Sequence, residues 1–159
     1  MKEKETRVQP TDITVRPMEE TDVYAASRLE EETFSMPWHE NDFLEMISAE
    51  YAHYFVAEDK DGVSGIIGLR ELSGEGEITN VAVDQSKRRS GIGRALVKRV
   101  LDECDALNIG DVTLEVRVSN EAAIALYEGF GFKSEGIRPH FYEKPDEDAL
   151  ILWRRKQRC

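Results

Sequence analysis

The run "VAVDQSKRRSGIGRALVKRVLDEC", Val81 to Cys104, limits what this chain can fold into more than any other stretch. An apolar alternating segment gives way to a basic turn spaced by glycines, and the turn gives way to a segment of helical period. In the last part, Ile92, Leu96, Val100, Cys104 and Leu107 fall on one broad face. Arg94, Lys98, Asp102 and Asp105 lie opposite, and Gly110 follows as a stop. A strand must therefore turn tightly into an amphipathic helix here. A glycine-spaced turn entering a helix leaves unpaired backbone N–H groups at the positive end of the helix dipole. Without side chains on the glycines, an anion can approach the main chain closely. Arg88 and Arg89 add positive charge. The spacing is not that of a P-loop, which ends in Gly-Lys-Ser/Thr, nor of the GxGxxG fingerprint. On these residues alone, Gly91 and Gly93 suit either a pyrophosphate site or simply a tight turn.

The rest of the chain places this unit in a mixed α/β order. "ITVRPM" alternates as a strand that Pro17 ends. "TDVYAASRLEEETF" has helical spacing, opened by Thr21 or Asp22 as cap. "MPWHENDFLEMI" reads as a short second helix burying Phe43, Leu44 and Ile47. "YFVAEDKDGVSGIIGLREL" is a hairpin joined at Asp61-Gly62. "EITNVAV" leads into the basic turn, "VTLEVR" is a strand, "SNEAAIALYEGF" a short helix ended by Gly129, and "DALILW" a last strand. Antiparallel pairs early and helix crossovers late predict an α/β chain of mixed α+β type. Residues 1–12 and the closing "RRKQRC" read as solvated tails around one domain over residues 13–155.

Charge narrows the partners. The 159 residues carry 32 acidic and 21 basic side chains, a net charge of −11. That argues against a generic nucleic-acid surface, which is basic, and suits encounter with a cationic partner. It equally serves solubility. No apolar run is long enough to cross a bilayer, so no membrane role is expected. Cys104 and Cys159 have no metal or redox spacing between them, which makes a cytoplasmic location the expectation and no metal site expected.

"RRSGIG", carried by Arg88, Gly91 and Gly93, follows an apolar "NVAV" strand and resembles the Arg/Gln-x-x-Gly-x-Gly/Ala signature of the GNAT superfamily of N-acetyltransferases. Downstream, "LEVRVSNEAAIALYEGFGF" is similar to the second half of the same fold. Its wording is most similar to the ribosomal-protein-alanine N-acetyltransferases, with "FSMPW" and "IRPHFY…EDALIL" in support. The resemblance runs from about Ile13 to Trp153. It implies a central, mostly antiparallel mixed sheet flanked by helices and splayed between "EITNVAV" and "VTLEVR", with acetyl-CoA in the gap. It also implies an enzyme that acetylates the N-terminal α-amine of a protein, a ribosomal one, with no metal.

The chemistry sets what the residues must do. An amine must be neutral before it can attack a thioester, and the departing thiolate needs a proton. An α-amine titrates near 8, about two units below lysine, so a modest base suffices. Glu115 is the candidate base. The period of two in "VTLEVR" sets Thr113, Glu115 and Arg117 on the face opposite Val112, Leu114 and Val116. From the residues alone Glu115 reads as a surface acid paired with Arg117; the resemblance assigns it as proton acceptor. Tyr127 shares a helix face with Asn120 and Ile124 and reads as core on periodicity; the resemblance makes it the proton donor to the thiolate. It also implies that Asn120 bonds the cofactor arm, that main-chain groups of Val81, Ala82 and Val83 meet the acetyl and pantetheine amides, and that Arg88, Arg89, Ser90, Gly91, Ile92, Gly93 and Arg94 hold the pyrophosphate.

Arg138 and Tyr142 match the segment that in the family closes over the acceptor, and Trp38 is either core or part of the acceptor entrance. Cys104 reads as packed and inert. His39 reads as a cap or an exposed residue, His53 as a strand surface residue, and His140 as a residue near the acceptor segment. Two departures from the resemblance stand out: His39 after Pro-Trp, where serine is usual, and Pro139, where a second arginine is common. A small amine such as a polyamine or aminoglycoside is the alternative acceptor class. A non-catalytic acyl-CoA-binding module is the third reading, and it would need neither Glu115 nor Tyr127.

Overall fold

Alternating burial along Glu75–Val83 and Val112–Arg117 marks both as strands covered on at least one face. In the computed structural model, which describes residues 12–156, they lie at the centre of one seven-stranded sheet. The strands are β1 (Thr14–Pro17), β2 (Ala52–Asp59), β3 (Gly62–Leu72), β4 (Glu75–Val83), β5 (Val112–Arg117), β6 (Lys133–Tyr142) and β7 (Glu147–Arg154). Their order across the sheet is β1-β2-β3-β4-β5-β7-β6. Every neighbouring pair is antiparallel except β4 and β5. The expected architecture, a mostly antiparallel mixed sheet flanked by helices, is the one observed. The tail residues 1–11 and 157–159, Cys159 among them, lie outside the described residues.

Two helix pairs cover the sheet. Helices α1 (Val23–Thr33) and α2 (Glu40–Ile47) close one core with Met18, Leu29, Phe43, Tyr54, Val56, Ile66 and Ala82. Helix α3 (Ile92–Ala106) closes the other with Phe55, Ile67, Leu69, Val112, Leu114 and Leu152, joined by Tyr127 of α4 (Glu121–Gly129). The apolar stripe expected on α3 is buried at Ile92, Leu96, Val100 and Cys104, with Val97 and Leu101 beside it. Leu107 is instead 43% exposed, because the helix has already ended. In α2, Phe43 is fully buried while Leu44 and Ile47 are only partly so.

Helix ends are where the sequence reading needs correction. Helix α3 stops through Asn108, at φ 60, and not through Gly110. The Asn108 N–H bonds the Asp105 carbonyl at 3.2 Å and the Ile109 N–H the Cys104 carbonyl at 2.8 Å. That pair of bonds is the left-handed cap a glycine usually supplies. Helix α4 contains Gly129 and stops through Gly131, at φ 97. Asn120 opens it, its side chain accepting from the Ala123 N–H at 3.2 Å. Neither Thr21 nor Asp22 caps α1 with its side chain; a 3-10 turn over Glu20–Asp22 leads into it. Strand β6 was not expected as a strand: nearly all its residues are exposed, so no alternation marks it.

A bulge in β4 positions the site. Ile67 pairs with Val81 but Leu69 pairs with Ile78, so Thr79 and Asn80 together face Gly68. A one-residue insertion reverses every later side chain. Before it, Ile78 faces the α3 core; after it, Val81 and Val83 do, while Ala82 turns to the α1–α2 core. Gly68 is required because the Tyr54 ring crosses it: a Cβ there would stand 2.4 Å from Tyr54 Cε2.

Candidate active site

Pairing between the two central strands ends almost where it begins. Only Gly76 with Val112 and Glu77 with Thr113 are joined, after which β4 bulges and β5 continues toward β7. From Ile78 to Val83, β4 bonds β3 on one side and leaves its other edge unpaired by β5. An open strand edge accepts an extended ligand carrying amides. Val81, Ala82 and Val83 lie on it.

At the far end of that edge the turn from Asp84 to Gly91 delivers α3. Gly91 is its N-cap at φ 91, and no side chain caps the fifteen-residue helix. A Cβ built on Gly91 meets no atom within 4 Å. The first N–H groups of the helix, at the positive end of its dipole, thus have no side-chain cap. Arg88 and Arg89 are exposed and make no ion pair among the described residues. The Ser90 hydroxyl donates to the Lys87 carbonyl, and the exposed Arg94 guanidinium lies 5.3 Å from the Phe130 ring centroid. The Ile92 side chain is buried, so only its backbone N–H can serve an anion.

Glu115 and Tyr127 lie on opposite faces of the sheet. Leu114 and Val116 point into the α3 core, which places Glu115 on the other face. Its carboxylate pairs with Arg138, Nη2 to Oε2 at 2.8 Å, the guanidinium reaching across β7. Arg117 is not its partner: that guanidinium bonds Glu147 at 3.1 Å and lies 4.5 Å from the Tyr142 ring centroid. Tyr127 belongs to the α3 core, 5% exposed, its ring 5.8 Å from that of Phe132. Its hydroxyl bonds no described residue, yet no side-chain polar atom of the described residues is both sealed and unpartnered. The oxygen therefore opens onto accessible space. Burial pushes Tyr127 well above the ordinary phenol range, with nearby Tyr142 adding to the effect. Tyr142 is itself pushed up to about 12, first by burial and then by the Glu115 carboxylate. Tyr142 thus stands in electrostatic reach of both Glu115 and Tyr127.

Asn120 uses its oxygen to cap α4 and keeps its amide N–H₂ for another partner. Trp38 is half-buried, packing on Phe43 (5.3 Å) and Tyr54 (6.0 Å), and sits in the loop from α1 to α2. That loop is tied to the turn between β6 and β7 by the Ser35 hydroxyl, which donates to the Glu143 carbonyl at 2.9 Å. His39 occupies the N-cap of α2, and Cys104 is packed, its thiol pushed up to about 11 by burial. His53 is half-buried on β2. His140 stands in the bulged part of β6, bonded to Asp146 at 2.8 Å.

One group escaped the sequence reading. Glu30 is 1% exposed, its two oxygens accepting from the Trp38 backbone N–H at 3.0 Å and from Asn80 Nδ2 at 3.1 Å. Asn80 accepts in turn from the Tyr54 hydroxyl at 3.0 Å, which is 2.8 Å from that of Thr79. This buried chain ties α1 and its loop to the β4 bulge. Burial holds the Glu30 carboxyl above its usual range against the pull of both donors. Helical spacing left Leu29 and Glu30 interchangeable on the buried face, and nothing local in the sequence marks a partner fifty residues away.

The model of the acetyltransferase (GNAT) family matches residues 23–132. The chain belongs to that family. It is an acyltransferase enzyme whose acetyl donor is acetyl-CoA, and the residues present fit that donor: an open edge for its amides and an uncapped helix with two unpaired arginines for its phosphates. Among curated relatives, the acetyltransferase is 36% identical over 141 residues to the ribosomal protein bS18-alanine N-acetyltransferase of Escherichia coli, covering 87% of this chain and 95% of that one. It is 34% identical over 144 residues to the putative enzyme of the same name from Bacillus subtilis, covering 90% and 95%. The crystal structure of the Escherichia coli ribosomal-protein-S18-alanine N-acetyltransferase superposes with a TM-score of 0.84 at 32% identity, covering 92% of this chain and 96% of that one. The enzyme is similar at the same TM-score to Ard1 of Thermoplasma volcanium, at 27% identity and 92% and 99% coverage. No helix of the described residues is long and apolar enough to cross a membrane.

Proposed function

We propose that this acetyltransferase modifies the N-terminal α-amino group of a ribosomal protein, an alanine, by direct transfer, with Glu115 accepting the proton of the amine and Tyr127 protonating the leaving thiolate. The observation that supports the assignment of roles is that Glu115 lies on β5 beyond the point where its pairing with β4 ends, on the sheet face opposite the Tyr127 ring. Identity to the bS18-alanine enzymes over most of both chains supports the acceptor class.

Magnitudes favour this acceptor over a lysine. Freeing an α-ammonium of its proton at pH 7 costs about 1.4 kcal/mol, against roughly 4.6 for a lysine side chain. The smaller cost favours an α-amine as the acceptor beside the Glu115 carboxylate, which pairs with Arg138. The Tyr127 hydroxyl, raised in pKa by burial, stays protonated through the working range and is available to the thiolate. Acetyl-CoA supplies a thioester carbonyl along the β4 edge, where Val81, Ala82 and Val83 offer main-chain partners; Asn120 and the residues Arg88 to Arg94 hold the rest of the molecule. Arg138, Tyr142 and Trp38 flank the acceptor side. A cytoplasmic location accords with this substrate.

The test offers the enzyme acetyl-CoA with peptides bearing N-terminal alanine followed by basic or acidic residues, with internal-lysine peptides, and with polyamines and aminoglycosides. Mass spectrometry should find one acetyl group on the α-amine of alanine peptides. Acetylation confined to small amines would overturn the acceptor assignment.

A further inference from the structure

The turn that opens α3 has no apolar anchor. None of the residues from Asp84 to Gly91 is buried, and two of them, Arg89 at φ 66 and Gly91 at φ 91, hold left-handed backbone. Such a segment would lose much conformational freedom on ordering, with no burial to offset the loss. Polar ties hold it instead. The Asp84 carboxylate accepts from the Ser86 N–H at 2.9 Å, and Gln85 Nε2 donates to the Glu32 carbonyl of α1 at 3.0 Å. The third tie is charged. Lys87 Nζ donates to Asp59 Oδ2 at 2.6 Å and Asp61 Oδ2 at 2.7 Å, both at the tip of the β2–β3 hairpin. The Lys87 and Asp59 side chains are only 22% and 14% exposed, so solvent and salt screen this pair less than an ordinary surface bridge. Lys87 thus differs from its neighbours: Arg88 and Arg89 are exposed and free of ion pairs among the described residues, while Lys87 is committed to the hairpin.

We infer that Lys87 is a positioning residue for acetyl-CoA, latching the phosphate-facing turn to the Asp59–Asp61 hairpin tip so that the N–H groups of α3 and the two arginines stand ready before the cofactor arrives. The inference rests on the reading of this turn as the pyrophosphate site. A turn ordered in advance loses less freedom on binding, which strengthens binding without any new contact to the ligand. The same geometry admits a rival. Lys87 could be a phosphate ligand that two aspartates hold back. The two accounts predict opposite signs when the aspartates are neutralised.

The experiment uses the full chain, calorimetry with acetyl-CoA and steady-state kinetics. Lys87→Met keeps the aliphatic stem and should raise the Kd and KM for acetyl-CoA on the order of tenfold. The kcat at saturating acetyl-CoA and the KM for the acceptor should stay at wild-type values. Lys87→Arg, which can span two carboxylates, should restore most of the affinity. Asp59→Asn with Asp61→Asn should weaken acetyl-CoA binding like Lys87→Met; tighter binding would show that Lys87 is a phosphate ligand and overturn the latch. Should the double variant fold poorly, Asp59→Asn alone carries the same sign. A lowered Tm for Lys87→Met with unchanged Kd would reduce the tie to a structural one and also overturn the inference. Arg88→Ala with Arg89→Ala, measured alongside, separates the two levels. If that pair weakens binding and Lys87→Met does not, the latch fails and the site stands; if neither does, the site assignment itself fails.

Discussion

Tyr127→Phe separates chemistry from packing at one atom. The ring is 5% exposed and packs edge-on against Phe132. Phenylalanine keeps almost the same volume, so no cavity forms; truncation to alanine would instead cost about 3–5 kcal/mol. The hydroxyl bonds no described residue, so its loss leaves no orphaned partner. Stability should therefore stay within roughly 1 kcal/mol of wild type, and Tm within a few degrees. Activity should not. Loss of a positioned general acid removes about 10²–10⁴ in rate, or roughly 2.7–5.4 kcal/mol of transition-state stabilisation. The assay is thiol release at saturating acetyl-CoA and peptide, with thermal melts and calorimetry on the same preparation. Because burial raises the Tyr127 pKa, its proton should remain in place above pH 9, and wild-type kcat should show no alkaline loss from this group there. A variant within twofold of wild-type kcat would refute the acid role. A large loss of stability would refute the packing argument.

Glu115→Gln should preserve fold and acetyl-CoA affinity while lowering the rate by about 10²–10⁴ at neutral pH. The deficit should shrink as rising pH deprotonates the amine without help, and a pH-independent deficit would count against a base. Gly91→Asp forces a side chain onto a backbone at φ 91 and sets a carboxylate beside the uncapped end of α3; calorimetry should detect no acetyl-CoA binding, and unchanged affinity would remove the phosphate assignment. Glu30→Gln tests the buried carboxyl through pH. Its folded pKa is raised, so its protonated form is the one folding favours, and wild-type stability should fall relative to the variant as pH rises from about 4.3 through the folded pKa. Urea unfolding at pH 5 and pH 8 reads the difference, and parallel curves would show that Glu30 does not titrate differently in the folded protein.

The amino-acid sequence by itself determined the elements whose signals are local. The stripe of Ile92, Leu96, Val100 and Cys104 is set by spacing within one helix, and the folded chain buries it as read. Strands β4 and β5 announced themselves because each alternates with burial. Even the family was legible, since its motifs are contiguous. Strand β6 was not, because it lies at the sheet's edge with its residues exposed, and exposure leaves no pattern to read. Helix ends also escaped, since Asn108 does the work expected of a glycine and Gly110 and Gly129 invite the wrong stop.

Only the tertiary structure decided the partners. Glu115 has Arg117 two residues away on the same strand face, yet pairs with Arg138 across β7 because strand order brings that guanidinium to it. A single extra residue opposite Gly68 turns Val81 and Ala82 over, and no count of apolar residues along the strand reveals it. Glu30 meets Asn80 fifty positions on, and Lys87 meets Asp59 and Asp61 on another hairpin. Periodicity records which face a residue shows to the core. Which side chain it meets there depends on register, bulges and strand order, which arise only when distant segments pack.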